Sequence, residues 1–215
     1  MLLEIREAPP FHKNGYVLAC ERTKEGVLVD PGDEADQLLR VVADEKLVIR
    51  RILLTHAHVD HVSGTARAKA ATGAPILLHR ADAQIYDLAV EQAAFFGFDI
   101  EPPPPVDAFY DLSEAIEIGT LSARVLHTPG HTPGGVCLLV GPGGAAGTAL
   151  LAGDTLFAGS IGRTDLPGGD YDTLIGSIRD VLFTLPDELV VHPGHGPATT
   201  IGRERRTNPF VGGLV

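Results

Sequence analysis

The chain has no tryptophan, a single methionine and only two cysteines. Each cysteine stands among apolar residues, Cys20 in YVLAC and Cys137 in GGVCLLV, where a buried thiol behaves as a small hydrophobe. That usage suits a reducing compartment and argues against a disulfide framework. Basic residues are scarce too, 17 against 28 acidic ones, for a formal charge of −11. Such a chain repels a phosphate backbone, which argues against a nucleic-acid partner and against nuclease activity. No apolar run approaches the roughly 20 residues that span a bilayer. The opening MLLEIREAPP has neither the basic start nor the apolar stretch of an export signal. The expectation is a soluble, cytoplasmic protein with no membrane partner, a monomer or small homo-oligomer. At 215 residues and 44% hydrophobic content it can bury a full core, and it reads as a single domain over 1–215. What is abundant is histidine, with nine copies.

Short runs rich in Val, Leu and Ile at 2–7, 16–20, 26–30 and 51–55 predict strands. Asp33 is placed to cap a helix beginning near Glu34, with Leu38, Leu39, Val41 and Val42 on its inner face. Small residues from Ser63 to Thr72 predict a close-packed helix ended by Gly73, followed by a strand at 75–79. The segment Asp82 to Phe96 predicts one helix burying Ile85, Leu88, Ala89 and Phe96, and EPPPPV at 101–106 a stiff extended connector. The second half repeats the plan, with strands at 115–118, 121–126, 135–140, 148–152 and 188–192. Its one strongly periodic helix, capped by Asp170, is expected to bury Tyr171, Leu174, Ile175, Ile178, Val181 and Leu182. GPGGAAG at 141–147 lacks the Lys-Ser/Thr of a phosphate loop and reads as a hairpin connection. Two similar halves of strands with interspersed helices predict an α/β protein in which two sheets pack face to face with helices outside.

The chemistry is concentrated at strand ends. THAHVDH places four metal-ligand types, His56, His58, Asp60 and His61, within six residues directly after an apolar strand. Three further segments share the construction: VLHTPGH ends at His131, ALLAGD at Asp154 and LVVHPGH at His195. One histidine at a strand end is an ordinary hydrogen-bonded polar residue. Four such ends with the same donor types point instead to metal binding. Imidazoles mixed with carboxylates suit zinc, iron or manganese, whereas calcium or magnesium would call for an all-oxygen set. His79 and His192 in strand patterns and His127 before a turn fit core or supporting roles, and His12 a loop position. Asp30 in LVDPG reads equally as a turn cap or as a partner that orients a ligating histidine.

THAHVDH, TPGHTPG, the GD pair and PGHG, in this order and over nearly the whole chain, resemble the metallo-β-lactamase superfamily. The resemblance implies a four-layer α/β/β/α sandwich with two divalent metal ions, zinc foremost with iron or manganese as alternatives. Carried over by motif, His56, His58 and His131 would hold one metal, Asp60, His61 and His195 the other, and Asp154 would bridge them. GDTLFAGSIGRTDLPGGD at 153–170 and GHGPATTIGRERRTNPF at 195–210 are similar to the short bacterial form of glyoxalase II, the hydroxyacylglutathione hydrolases. The 20 residues after His195 are too few for the C-terminal helical domain that completes the glutathione site of the full-length form, so the expectation is an acyl-thiol substrate with the thiol carrier left open.

That likeness implies hydrolysis of a small acyl-thiol substrate by a hydroxide shared between the metals, with Asp60 also guiding the proton of the attacking water. The thiolate is a good leaving group and needs no strong general acid. A similar GRTD segment occurs in persulfide dioxygenases, where the resemblance would leave a single iron on His56, His131 and Asp154. Within GRTD, Arg163 and Asp165 are read as bracing each other, and Arg203, Arg205 and Arg206 as a solvated helix face.

Overall fold

The computed structural model of the chain describes residues 1–142 and 148–213. Two compact units make it up, Met1–Tyr110 with Glu117–Leu121, and Asp111–Ile116 with Ser122–Val215. Among the described residues no helix is long and apolar enough to cross a membrane.

In the first unit, β1 (Leu2–Ala8), β2 (Lys13–Ala19) and β3 (Glu25–Val29) run antiparallel to one another in sequence order. β4 (Val48–Leu53) then lies parallel to β3, reached through α1 (Ala35–Asp44). β5 (Ile76–Leu78) lies parallel to β4, with α2 (Val59–Val62) and α3 (Thr65–Thr72) in between. After α4 (Ala83–Asp87) and α5 (Ala89–Phe95), β6 (Ala108–Phe109) completes a six-stranded sheet in chain order. β2 is buried along its whole length, and Val17, Leu28, Leu38, Ile52, Leu54, Ile76 and Leu78 share one core. Because β3 and β4 are parallel neighbours, the residues that follow them leave the sheet at the same edge. Asp30 N–H donates to the Leu53 carbonyl there, 3.0 Å away.

Two expectations for this unit need correction. Asp33 does not cap α1: its carboxylate accepts from the Ser63 hydroxyl at 3.0 Å, and Ala35 N–H bonds instead to Gly32 O. The single helix expected over 82–96 is broken at Leu88, whose backbone (φ −96, ψ 16) separates α4 from α5. The break shifts the phase of the apolar stripe, so Tyr86, Ala89 and Ala93 are buried while Leu88 and Phe96 are exposed. Gly73 closes α3 in the left-handed conformation, as expected.

The second unit carries a sheet in which β7 (Ala115–Ile118), β8 (Leu121–His127), β9 (Val136–Pro142) and β10 (Ala149–Gly153) are neighbours in chain order. Residues 117–121 of this stretch count with the first unit. The hairpin expected from GPGGAAG falls largely on residues 143–147, outside the described residues, although β9 and β10 do pair antiparallel. A short hairpin of β11 (Leu156–Phe157) and β12 (Ser160–Ile161) follows, then α6 (Tyr171–Asp180). β13 (Val190–Pro193) pairs parallel with β10, β14 (Thr199–Thr200) pairs antiparallel with β13, and α7 (Ile201–Thr207) closes the unit. Asp170 caps α6 as predicted, accepting from Thr173 N–H at 2.8 Å. Leu174, Ile178 and Leu182 are buried and Ile175 and Val181 partly so, but Tyr171 is exposed, since it sits in the first turn beyond the core. Because β10 and β13 are parallel, Gly153 and Pro193 end side by side, and Gly194 N–H donates to Gly153 O at 2.7 Å.

Candidate metal centre

In the first unit all four ligand candidates leave the end of β4. His56 and His58 face each other edge to face with ring centroids 5.0 Å apart, and His56 lies 4.0 Å from His61. His58 stands at the N-terminus of α2 in extended conformation, and its carbonyl accepts from His61 N–H at 3.0 Å. That one-turn helix carries Asp60 and His61, putting Asp60 Oδ2 3.6 Å from His61 Nε2.

Asp30 organises this cluster. One carboxylate oxygen accepts from Thr55 N–H, while the other accepts from the Thr55 hydroxyl (both 2.6 Å) and from His61 Nδ1 at 2.9 Å. Of the two readings the sequence left open, the structure shows Asp30 orienting a histidine. Having given its proton to Asp30, the Thr55 hydroxyl accepts from His56 Nδ1 at 3.2 Å. Both His56 and His61 therefore carry their proton on Nδ1, and the lone pair is on Nε2, as a metal ligand requires. Gln92 on α5 secures the same loop, accepting from Val59 N–H at 3.2 Å. Tyr110 donates its hydroxyl to Leu54 O at 3.0 Å, and burial holds its pKa well above the ordinary tyrosine range.

In the second unit Asp154 directly follows β10, with Oδ2 3.6 Å from His131 Nε2 and 3.5 Å from His195 Nε2. His131 Nδ1 donates to the Arg163 carbonyl at 2.7 Å, which again leaves the Nε2 lone pair for a ligand. The His195 ring meets Phe157 of β11 edge to face at 6.2 Å. Glu204 of α7, fully buried, accepts from Gly159 N–H at 2.9 Å, from the Thr199 hydroxyl at 2.5 Å and from Asn208 Nδ2 at 2.9 Å. It thereby clamps the β11–β12 hairpin that runs from Asp154 toward Arg163.

These distances test whether the residues fit a cation. Two ligands held about 2.1 Å from one ion at a tetrahedral angle lie about 3.4 Å apart. The Nε2–Oδ2 separations within the units are 3.5 and 3.6 Å, longer than good hydrogen bonds and close to a shared-ion geometry. Buried imidazoles with assigned tautomers beside carboxylates make a donor set for a divalent transition metal. The fit is therefore good within each unit taken by itself.

Arg163 and Asp165 pair with each other as expected, through two contacts of 2.7 Å, and the guanidinium draws the Asp165 carboxyl down to about 2. His127 Nε2 reaches Pro133 O at 3.0 Å, His79 caps a short turn of 3-10 helix by accepting from Ala81 N–H, and burial lowers the pKa of His192. Both cysteines are unbridged, and burial pushes the Cys137 thiol up to about 11. Arg205 departs from expectation. It is not a solvated side chain, since it bonds Asp187 at 2.6 Å and the carbonyls of Phe183 and Leu185. The sequence reading also missed the Arg163 carbonyl, Thr55, Gln92 and Glu204. Only Thr55, adjacent to His56, left a trace that spacing could have revealed.

A family model described as the metallo-beta-lactamase superfamily matches residues 8–195, a span that contains every one of these ligand candidates. The hydroxyacylglutathione hydrolase GloC of Haemophilus influenzae is 37% identical over 98% of this chain and 98% of its own. Among solved structures, BLEG-1 B3 metallo-beta-lactamase is similar at a TM-score of 0.88 and 36% identity, covering 99% of this chain and 100% of that one. TTHA1623 in a di-iron-bound form is similar at a TM-score of 0.84 and 40% identity, covering 96% and 99%.

Proposed function

The chain belongs to the metallo-beta-lactamase superfamily, whose members bind divalent metals, often two, and from that premise we propose that it is a metal-dependent thioester hydrolase of the hydroxyacylglutathione type. In this reading the two half-sites act on one pair of divalent ions. His56, His58 and His131 hold one, Asp60, His61 and His195 hold the other, and Asp154 serves both. Bound there, such a pair supplies Lewis acidity: it makes water a nucleophile at neutral pH and steadies the oxyanion formed at a carbonyl.

The remaining work falls to the chain itself. Asp30 and the Arg163 carbonyl keep His61 and His131 in the ligating tautomer through bonds of 2.9 and 2.7 Å. Asp60, partly exposed beside buried His61, would hold the proton that leaves the attacking water. A thiolate leaves without protonation, so a thioester needs no dedicated general acid. An oxygen leaving group would be a poorer substrate.

The observation that carries the choice of substrate class is the 37% identity to a hydroxyacylglutathione hydrolase from end to end. The partner is accordingly a small acyl thiol. The test is release of free thiol from S-lactoylglutathione and from simpler acyl thioesters by metal-loaded protein, with nitrocefin and glutathione persulfide as competing substrates. Thiol release that a chelator abolishes is expected. Hydrolysis of nitrocefin alone, or oxygen uptake on persulfide with one iron per chain, would replace this reading.

A further inference from the structure

Beneath the first half-site lies a charge pair that the metal chemistry does not call for. Lys13, the first residue of β2, and Glu34, just before α1, are 2% and 0% exposed, with Lys13 Nζ 2.6 Å from Glu34 Oε1. The same ammonium donates to the backbone carbonyl of Asp30. Glu34 Oε1 also accepts from Gly32 N–H at 3.0 Å. Both charges therefore bind the backbone of one tight turn, residues 30–32.

That turn is conformationally demanding. Asp30 has φ +49, a left-handed backbone that a residue with a side chain adopts only at a cost. Gly32 lies so close to the metal-ligand loop that a Cβ there would overlap the Asp60 carbonyl oxygen. The left-handed turn aims the Asp30 carboxylate at both Thr55 and His61. A relaxed Asp30 would swing its carboxylate away, and the Nδ1 proton of His61 would lose its acceptor.

We propose that the buried Lys13–Glu34 pair is a positioning device for the metal centre: it holds Asp30 in its left-handed conformation and through Asp30 fixes the tautomer and orientation of His61. A pair that served folding alone would need only to neutralise itself. Here the ammonium also binds the carbonyl of the residue that orients His61.

The double variant K13M/E34Q tests this. It removes both charges together, so no lone charge is left buried, and it retains the side-chain lengths and an acceptor for Gly32 N–H. The first readout needs no metal: the His61 Nδ1–H proton, followed by proton–nitrogen correlation in metal-free protein and assigned with H61N. Wild type is expected to show a protected, downfield proton, which the double variant loses while its far-UV dichroism is unchanged. The second readout is zinc affinity by competition with a chromophoric chelator. The site containing His61 is expected to weaken about 10- to 100-fold, the usual effect of removing a group that supports a metal ligand, while the other site is spared.

E34Q alone strips the buried ammonium of its counter-charge while its amide oxygen still accepts from Gly32 N–H, and it is expected to weaken the resonance and the affinity of the His61 site, though less than the double variant does. Retention of the resonance in the double variant overturns the inference, and if the double variant does not fold, an unchanged resonance and unchanged affinities in E34Q overturn it. Only the affinity arm rests on the two-metal reading. If wild type binds a single zinc, that reading fails while the imidazole arm still judges the role of Lys13.

Discussion

Among the single residues, Asp154 has the most demanding position. It is mostly buried, and one of its oxygens lies 3.6 Å from His131 Nε2 and 3.5 Å from His195 Nε2. In the proposed centre these histidines belong to different ions, so the carboxylate is the anion the two share. Asp154→Ala is expected to weaken both zinc affinities together, each by at least about tenfold. Chelator competition on the purified variant measures this, and a selective loss of one ion would show that Asp154 is not a bridge. The supporting residues work differently. Asp30 and the Arg163 carbonyl donate nothing to a metal, yet they set which nitrogen of His61 and His131 carries the proton.

Strand ends and the turns after them build the site, and their geometry depends on glycines placed against neighbouring backbone. Gly130, beside His131, has φ +130, and a Cβ there would overlap the backbone of Leu174 at the start of α6. Gly130→Ala must therefore push the His131 turn off the helix, and a loss of about 3 kcal/mol or more is expected. A thermal melt of the metal-free variant checks it; an unchanged melting temperature would mean that the turn and α6 are not tightly packed.

The ligand-bearing elements were the most legible part of the sequence. RILLT, ALLAG and LVV are apolar runs that stop at dense ligand types, and each lies in a strand that ends within two residues of the expected position. Helix 82–96 was misjudged because its apolar spacing is nearly helical across Leu88, where the backbone breaks. The pairing of Lys13 with Glu34 was not seen at all. Two charges 21 residues apart meet only once β2 and the turn after β3 pack together, and no local pattern encodes that. The Arg163 carbonyl is equally silent, since every residue has one.

For the whole molecule, the similarity to GloC and to TTHA1623 runs through both half-sites and covers nearly the full length of each partner. The net charge of −11 is consistent with a small-molecule partner and unfavourable for nucleic acid. Within that frame the proposed centre pairs two divalent cations with only two carboxylates among seven ligands. The cations thus keep an excess of positive charge, which favours a hydroxide nucleophile and an oxyanion.

The most direct measurement is a crystal structure of metal-loaded protein with anomalous difference maps at the zinc and iron edges. Two peaks are predicted, one within bonding distance of His56, His58 and His131, the other of Asp60, His61 and His195, with Asp154 reaching both. A single peak, or peaks ligated from one unit only, would contradict the account.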